Sequence, residues 1–287
     1  MTRRRWIADE FSADRAVLTG AHAAHLSRTL RARTGQQFEV ACGDRVRRAT
    51  ITAVSDDRVE FALGEEVTTS ATVPITLLLA IFKFDRMEWA IEKCTELNVS
   101  AIIPVVARRT EKHLALAAEK RVERWRRIVR EAAEQSRRTS PPEIRDPLKL
   151  KEALAMEESA GPGRAALQGR VSMPHFKESR ALARRHDADL GGLQPRDPMP
   201  LTDAGPEART TRIVLAETER EAMLAEILRA HGEASSLALA VGPEGGWTAD
   251  ELQLFQQSGW MAASLGDTIL RAETAAIAAL AVARSEL

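Results

Sequence analysis

Two glycine-bearing segments near the C-terminus contain the residues best suited to hold a ligand. Gly242–Gly246 follows the apolar run Leu237–Val241, and Gly266–Ala275 follows a second apolar run that ends at Leu265. Each apolar run is short enough to be a buried strand, and each glycine-bearing segment leads into a sequence typical of a helix. Ligands of α/β proteins bind at such loops, outside the carboxyl edge of the sheet, so we expect both segments to contact one ligand.

The first segment offers main-chain groups rather than reactive side chains. Glycine has no Cβ, so amides and carbonyls can approach a ligand closely, and a helix start leaves free N–H donors. Such groups can bind the edges of an adenine and a ribose, while Leu265, Ile269 and Leu270 can supply an apolar surface. The alternative is a tight turn between strand and helix with a capping box of Thr248 and Glu251, which would explain the glycines without a ligand.

Several kinds of site are excluded by what the sequence lacks. It has no G-x-G-x-x-G dinucleotide motif and no G-x-x-x-x-G-K-[ST] triphosphate loop. The six histidines show no metal-ligand spacing, and His22 and His25 have no Cys or further His near enough to complete a zinc set. We therefore expect no metal. Cys42 and Cys94 lie far apart in the sequence, which indicates free thiols in a reducing cytoplasm.

The bulk composition predicts a soluble protein of two domains. A chain of 287 residues, with 44% hydrophobic and 29% charged residues, can bury a sizeable core. No apolar run reaches the ~18 residues that a membrane span needs, and Met1–Glu10 lacks the apolar segment of a signal peptide. We therefore expect a cytoplasmic protein that does not bind membranes.

Charge is segregated along the chain, although Lys and Arg balance Asp and Glu. Residues 1–48 contain ten arginines and five acids, and residues 108–138 contain eleven Lys and Arg and five acids. Residues 213–287 reverse the balance, with four arginines and eleven acids. Basic segments of this kind favour contact with a polyanion such as RNA. The alternative is a set of solvated helix faces with mixed i,i+4 ion pairs.

The elements that must position these residues divide the chain near residue 72. Residues 21–34 predict a short helix. Three alternating runs predict half-buried antiparallel strands at Gln37–Cys42, Ala49–Val54 and Arg58–Leu63. A small β-barrel closes such strands, so we predict an N-terminal barrel domain over residues 1–72.

In the rest of the chain, apolar runs alternate with helical patterns, which predicts a mostly parallel sheet. One predicted helix is capped by Asp85 and Glu88, and another covers residues 116–138. The predicted strands are Ile75–Ile81, Val99–Val106, Ile213–Glu217, Leu237–Val241 and Met261–Leu265. The second domain is therefore expected to span residues 73–287, with the glycine- and proline-rich residues 159–211 as a flexible insertion.

The two late segments also form the paired signature of a known family. Gly242-Pro-Glu-Gly-Gly246 and Ile269-Leu-Arg-Ala-Glu-Thr-Ala275 are similar to it in residue types, order and spacing. Further similarity lies at Lys83–Val99, Glu134–Ser136 with Arg138, Pro142–Ile144, Arg5–Trp6 and His25 to Arg31. On these residues, about 1–150 and 213–287, the chain resembles the RsmE-type 16S ribosomal RNA methyltransferases of the SPOUT (α/β-knot) superfamily.

The resemblance implies a fold, a cofactor and a reaction. The fold is α/β, with an N-terminal PUA-like β-barrel and a C-terminal SPOUT domain whose mostly parallel sheet contains a trefoil knot. The implied protein is a homodimer that binds S-adenosylmethionine in the knot loops. It methylates N3 of a uridine in 16S rRNA of the 30S ribosomal subunit. Because N3 lies on the pairing edge of uracil, the target base must be unpaired or flipped out.

Motif position also assigns roles to single residues. Arg271 is the candidate to stabilise negative charge on the uracil carbonyls. Glu273 or Glu244 is the candidate to accept the N3 proton, although either could simply cap a helix N-terminus. The residues expected to contact phosphates, with surface ion pairing as the alternative, are Arg5, Arg28, Arg31, Arg109 and Arg138. The residues expected to bind the cofactor are Leu215, Gly242, Glu244, Gly245, Gly246, Leu265, Gly266, Ile269, Leu270 and Thr274.

Two residues depart from the family pattern. Ala272 stands where the family usually has Thr, and Arg137 stands in a predicted RNA-facing loop where the family often has Gly. Two other functions stay open. One is a knotted methyltransferase that acts on ribose 2′-oxygen or on transfer RNA, and the other is a non-catalytic ribosome-binding or assembly protein with the same fold.

Overall fold

The computed structural model describes residues 5–43, 45–68, 72–164, 209–232 and 234–287. The described residues belong to one compact unit. Most of the predicted insertion, residues 165–208, lies outside the described residues. Regular secondary structure extends into both ends of the predicted insertion: a helix continues to Arg164, and a strand begins at Thr210.

The N-terminal residues form a curled six-stranded sheet, in the order β1-β4-β5-β6-β3-β2. Its neighbouring strands are antiparallel except for β1 and β4. Trp6, Leu18, Leu26, Ile51 and Phe61 fill its core. The strands are β1 (Trp6–Ile7), β2 (Glu10–Phe11), β3 (Arg15–Thr19), β4 (Gln37–Cys42), β5 (Arg45–Val54) and β6 (Arg58–Val67).

The helix predicted over residues 21–34 is shorter in the structure. A helical turn, α1 (Gly20–Ala24), continues as a π-helix from His25 to Thr29. The chain leaves the helix at Arg31, whose φ of 50° lies in the left-handed region. Such a residue cannot continue a right-handed helix, so the prediction was five residues too long at this end.

The second sheet is parallel in every strand pair that the described residues form. Its order is β10-β8-β7-β12-β11-β13, with β9 paired to β8, which confirms the predicted parallel α/β sheet. The trefoil knot stays a prediction. The strands are β7 (Ile75–Ala80), β8 (Ala101–Val106), β9 (Glu143–Ile144), β10 (Leu148–Lys149), β11 (Thr210–Leu215), β12 (Ser236–Val241) and β13 (Met261–Ala263).

Helices cover both faces of this sheet, which explains why its central strands are apolar throughout. One core contains side chains from α2, α4, α6 and α8, and the other contains side chains from α5 and α7. The helices are α2 (Phe84–Glu96), α3 (Lys112–Ala117), α4 (Val122–Gln135), α5 (Leu150–Arg164), α6 (Leu224–Ala230), α7 (Ala249–Gln257) and α8 (Ala272–Glu286).

Two helix predictions were wrong in detail. The helix predicted over residues 116–138 is divided into α3, a 3-10 turn at Glu119–Arg121 and α4. Asp85 does not cap α2, because the N-cap residue is Lys83 and no side chain hydrogen-bonds there. Asp85 lies in the first turn instead, where a carboxylate still interacts favourably with the helix dipole.

The C-terminal end of α4 packs against the six-stranded sheet, in a contact that we call the junction. Ala133 lies in a small core with Ile7 and Ala41, and Arg130 bonds the Asp9 carboxylate at 2.8 Å. Arg5 bonds both the Glu39 carboxylate and the Arg137 carbonyl oxygen, and Arg137 also bonds Glu39 at 2.8 Å. The junction therefore combines a small apolar core with several charged hydrogen bonds.

Candidate functional site

Three loops meet at the carboxyl edge of the parallel sheet. They follow β11, β12 and β13, which are neighbours or next neighbours in the strand order. Together with residues of α7 and the start of α8, these loops line one cavity of about 860 Å³. This volume is within the range of small-molecule sites in proteins. The two glycine-bearing segments therefore converge, as the sequence predicted.

Most of the residues predicted to bind a cofactor line this cavity. Gly245 and Thr274 do not. Gly245 is instead covered by Arg109, whose guanidinium donates a hydrogen bond to the Gly245 carbonyl oxygen, and Thr274 is exposed on α8. The predicted residues that line the cavity are Leu215, Gly242, Glu244, Gly246, Leu265, Gly266, Ile269 and Leu270.

The glycine loop brings its main chain close to neighbouring side chains. A Cβ at Gly242 would lie 3.2 Å from the indole nitrogen of Trp247, and a Cβ at Gly246 would lie 3.4 Å from the Glu217 carboxyl group. Gly246 also has a φ of 68°, which L side chains rarely adopt. Glycine is therefore favoured at Gly246 by its backbone conformation, and a Cβ there would make van der Waals contact with the Glu217 side chain.

The capping box predicted after this loop is present. The Glu251 carboxylate accepts a hydrogen bond from the Thr248 amide at 2.9 Å, and the Thr248 hydroxyl accepts one from the Glu251 amide at 3.3 Å. Glu251 is buried, and its other carboxylate oxygen accepts the Arg108 amide at 2.7 Å. One carboxylate thus links the loop after β8 to the start of α7. The tight turn and the cavity exist together, so the two interpretations of the glycines do not exclude each other.

The three residues predicted to do chemistry differ in their positions. Arg271 is the exposed N-cap residue of α8, and its guanidinium contacts no partner among the described residues. Glu244 lines the cavity, whereas Glu273 is buried and does not. Arg86 lies 3.8 Å from both carboxylates. No side chain caps α8, so the alternative that Glu273 caps its N-terminus was wrong.

The arginines predicted to contact RNA separate into bonded and open groups. Arg5 bonds Glu39 at the junction, Arg28 bonds Asp56 at 2.9 Å, and Arg138 donates to the Thr95 carbonyl oxygen at 3.0 Å. Burial, with the nearby charge of Arg284, lowers the pKa of Arg138 to about 10. Arg31 is exposed, and its side chain makes no hydrogen bond or ion pair within the described ranges.

Arg137 is part of the junction, and the RNA-facing position predicted for its loop stays a prediction. Its φ of 62° explains why glycine suits this position, because only glycine adopts that conformation without strain. In this chain the position is occupied by Arg137, which adopts the strained backbone conformation and donates a hydrogen bond to the Glu39 carboxylate. Bonding to Arg137 lowers the pKa of Glu39, and bonding to Arg5 adds to the effect, while burial opposes it.

Sequence reasoning missed the loop between β11 and α6. Residues 216–220 line the cavity, as do Trp247 and Trp260. The indole N–H groups of both tryptophans are buried without a hydrogen-bond partner in the described structure. The signal that could have identified the loop is its place after a buried strand, which is the same argument that was applied to the glycine-bearing segments.

No group of three or more His, Cys, Asp or Glu side chains in the described residues could hold a metal ion. Among those residues, no helix is long and apolar enough to cross a membrane.

Comparison with known proteins identifies the family. A model of the RNA methyltransferase domain matches residues 69–184 and 195–284. Ribosomal RNA small subunit methyltransferase E of Synechocystis is 30% identical over 92% of this chain and 71% of its own length. The enzyme of the same name from Bacillus subtilis is 27% identical over 92% of this chain and 87% of its own length.

A solved structure agrees with these sequence matches. It is a ribosomal RNA small subunit methyltransferase E from Neisseria gonorrhoeae bound to S-adenosyl methionine. The two chains are 27% identical and superpose with a TM-score of 0.70. The superposition covers 98% of this chain and 97% of the Neisseria gonorrhoeae chain. The chain therefore belongs to the RNA methyltransferase domain family, and its relatives there are the ribosomal RNA small subunit methyltransferases E.

Proposed function

We propose that this protein transfers a methyl group from S-adenosylmethionine to N3 of a uridine in 16S rRNA of the small ribosomal subunit. The observation that carries the proposal is the single cavity formed by the loops after β11, β12 and β13. The names of the relatives support a ribosomal RNA substrate, and the bound ligand of the Neisseria gonorrhoeae enzyme supports the cofactor.

The cavity fits such a cofactor in size and in chemistry. Main-chain groups of the glycine loop suit the edges of an adenosine, and Leu265 and Ile269 supply apolar surface. When bound, S-adenosylmethionine supplies an electrophilic methyl group on a sulfonium. The remaining tasks, which are to bind the base, stabilise its developing charge and accept its proton, fall to protein side chains.

Arg271 is the residue that we assign to charge stabilisation. Uracil N3 loses a proton before or during attack, and the resulting negative charge spreads to the ring carbonyls. The Arg271 guanidinium is available for those carbonyls, because it is exposed and contacts no partner in the described part of the chain. Glu244, which lines the cavity, is better situated than the buried Glu273 to accept the N3 proton.

We further propose that RNA contacts Arg31 and Arg109, and that the protein acts in the cytoplasm as a homodimer. Residues 1–72 would be the PUA-like RNA-binding domain, and residues 73–287 the knotted catalytic domain. Sedimentation at micromolar concentration tests the dimer, and a monomeric mass would contradict it.

The main experiment follows the methyl group. Purified protein, S-adenosylmethionine labelled in the methyl group and 30S subunits from cells that lack this protein are incubated, and the rRNA is digested to nucleosides. We expect label in N3-methyluridine. Label in a 2′-O-methyl nucleoside, or in transfer RNA offered separately, would identify the other knotted activity. The absence of both transfer and S-adenosylmethionine binding by calorimetry would identify a non-catalytic ribosome-binding protein.

A further inference from the structure

We propose that the loop Ala216–Arg220 binds the amino-acid end of S-adenosylmethionine, with Glu217 accepting hydrogen bonds from the ammonium group and Arg220 donating to the carboxylate. The inference rests on the proposed function, since it names the protein groups that would hold one end of that cofactor. The glycine loop supplies main-chain groups suited to the adenosine end, but a zwitterion needs an acid and a base that are placed close together.

The first support is the position of the loop. Residues Ala216 to Arg220 line the same cavity as the glycine loop. The Glu217 carboxyl group lies against Gly246, where an added Cβ would come within 3.4 Å of it. A carboxylate therefore lies directly beside main chain that is suited to an adenosine, within the same cavity.

The second support is that both charged groups are available. Neither the Glu217 carboxylate nor the Arg220 guanidinium makes a hydrogen bond or ion pair with any residue that the structure describes. Other charged groups of the cavity are engaged. Arg109 bonds the Gly245 carbonyl oxygen, and Glu244 lies 3.8 Å from Arg86. Asp267, on the loop after β13, is the other carboxylate in the lining without such a partner in the described residues.

The third support is the stiffness of the turn that carries Arg220. One oxygen of the Glu219 carboxylate accepts the amides of Arg220, Glu221 and Ala222 at 3.0, 2.9 and 3.1 Å. Local bonds of this kind hold a turn in one conformation. Glu217 and Arg220 are thus presented from a turn whose backbone is already ordered, which reduces the entropy lost when a ligand binds.

Calorimetry with three ligands tests the assignment. S-adenosylhomocysteine carries the amino-acid end without the sulfonium charge, and methylthioadenosine lacks the amino-acid end. For Glu217→Gln and Arg220→Gln we expect the affinity for S-adenosylmethionine and for S-adenosylhomocysteine to fall about tenfold, as for loss of one charged hydrogen bond. The affinity for methylthioadenosine should not change. Glu221→Gln, on the same turn but outside the cavity lining, is the matched control and should bind all three ligands as the wild type does.

Each other outcome overturns the inference in a recognisable way. Equal loss for all three ligands would assign Glu217 to the adenosine end, and loss for S-adenosylmethionine alone would assign it to the sulfonium. Loss only in Asp267→Asn would transfer the role to the loop after β13. If the wild-type protein binds none of the ligands, the proposed function fails and this inference fails with it, whereas the preceding outcomes leave the proposed function intact.

Discussion

Arg271, which lies between two cavity-lining residues, and the arginines at the junction have the same side chain but differ in what they contact. Arg271 extends from the start of α8 without a partner in the described structure, whereas Arg5, Arg130 and Arg137 all bond acidic side chains or carbonyl oxygens. The difference shows that a basic segment does not by itself locate an RNA surface. An arginine that already bonds an acid or a carbonyl oxygen within the folded chain is less available to a ligand than one that is exposed without such a bond.

The largest expected effect is that of Arg271→Ala. Loss of a positioned cation that stabilises transition-state charge should lower kcat about 100- to 1,000-fold, with little change in cofactor affinity. Methyl transfer and calorimetry measure the two quantities. Arg229→Ala, which removes an ion pair of an exposed arginine with Glu286 and has no assigned role in binding, is the control and should keep nearly full activity. Equal activity of both variants would contradict the comparison.

Glu251→Ala should have the next largest effect, on stability. It removes a buried carboxylate that bonds the amides of Thr248 and Arg108, so the free energy of unfolding should fall by about 2–3 kcal/mol. Urea denaturation measures the change. Asp250→Ala alters the exposed neighbouring acid and should change stability by well under 1 kcal/mol. A similar loss in both variants would mean that the charge at the start of α7, rather than the buried bonds, stabilises this region.

Comparison of Gly246→Ala with Gly259→Ala separates the effect of backbone strain from the effect of a side chain added beside the cavity. Their φ angles, 68° and 73°, are similar, so both alanines should destabilise the protein by about 1–2 kcal/mol. Only the alanine at 246 meets the Glu217 carboxyl group, because no atom lies within 4 Å of a Cβ at 259. Calorimetry should therefore detect weaker cofactor binding for Gly246→Ala alone. Equal binding by both variants would show that Gly246 does not adjoin the ligand.

Arg5→Gln tests the junction directly. The variant should lower the free energy of unfolding by about 1–2 kcal/mol, because Glu39 and the Arg137 carbonyl oxygen lose a charged donor. The salt dependence of RNA binding should stay as in the wild type. A decrease of about one in the slope of log K against log salt would instead assign Arg5 to a phosphate.

The smallest expected effect is on the pH dependence of stability. The pKa of Glu39 is lowered from its ordinary 4.5, mainly by the hydrogen bond from Arg137. The contribution of this carboxylate is therefore present above its unfolded pKa and is lost as pH falls through its lower folded pKa. Glu39→Gln should make stability vary less with pH below 4.5. An unchanged pH profile would mean that the Glu39 bonds do not stabilise the junction.

The parts of the structure that the sequence predicted are those governed by local patterns. Apolar runs predicted the parallel strands, and Thr248 with Glu251 predicted the cap of α7. The contacts that the sequence did not predict join residues that lie far apart along the chain. The bonds of Arg5 to Glu39 and of Arg138 to Thr95 join segments 34 and 43 residues apart, and no periodicity reveals them. The charged loop at residues 216–220 was missed because such residues are also typical of a solvated turn.

Helix α4 sets a fixed separation within the molecule. Near its C-terminal end it holds the six-stranded sheet through Arg130, and near its N-terminal end Arg124 bonds Glu88 on α2. Glu88 is two residues from Arg86, which lies 3.8 Å from the cavity-lining Glu244. Fourteen helical residues measure about 21 Å. If the first sheet binds RNA, as we propose, then α4 fixes a separation of about 21 Å between that RNA-binding surface and the helices beside the cavity.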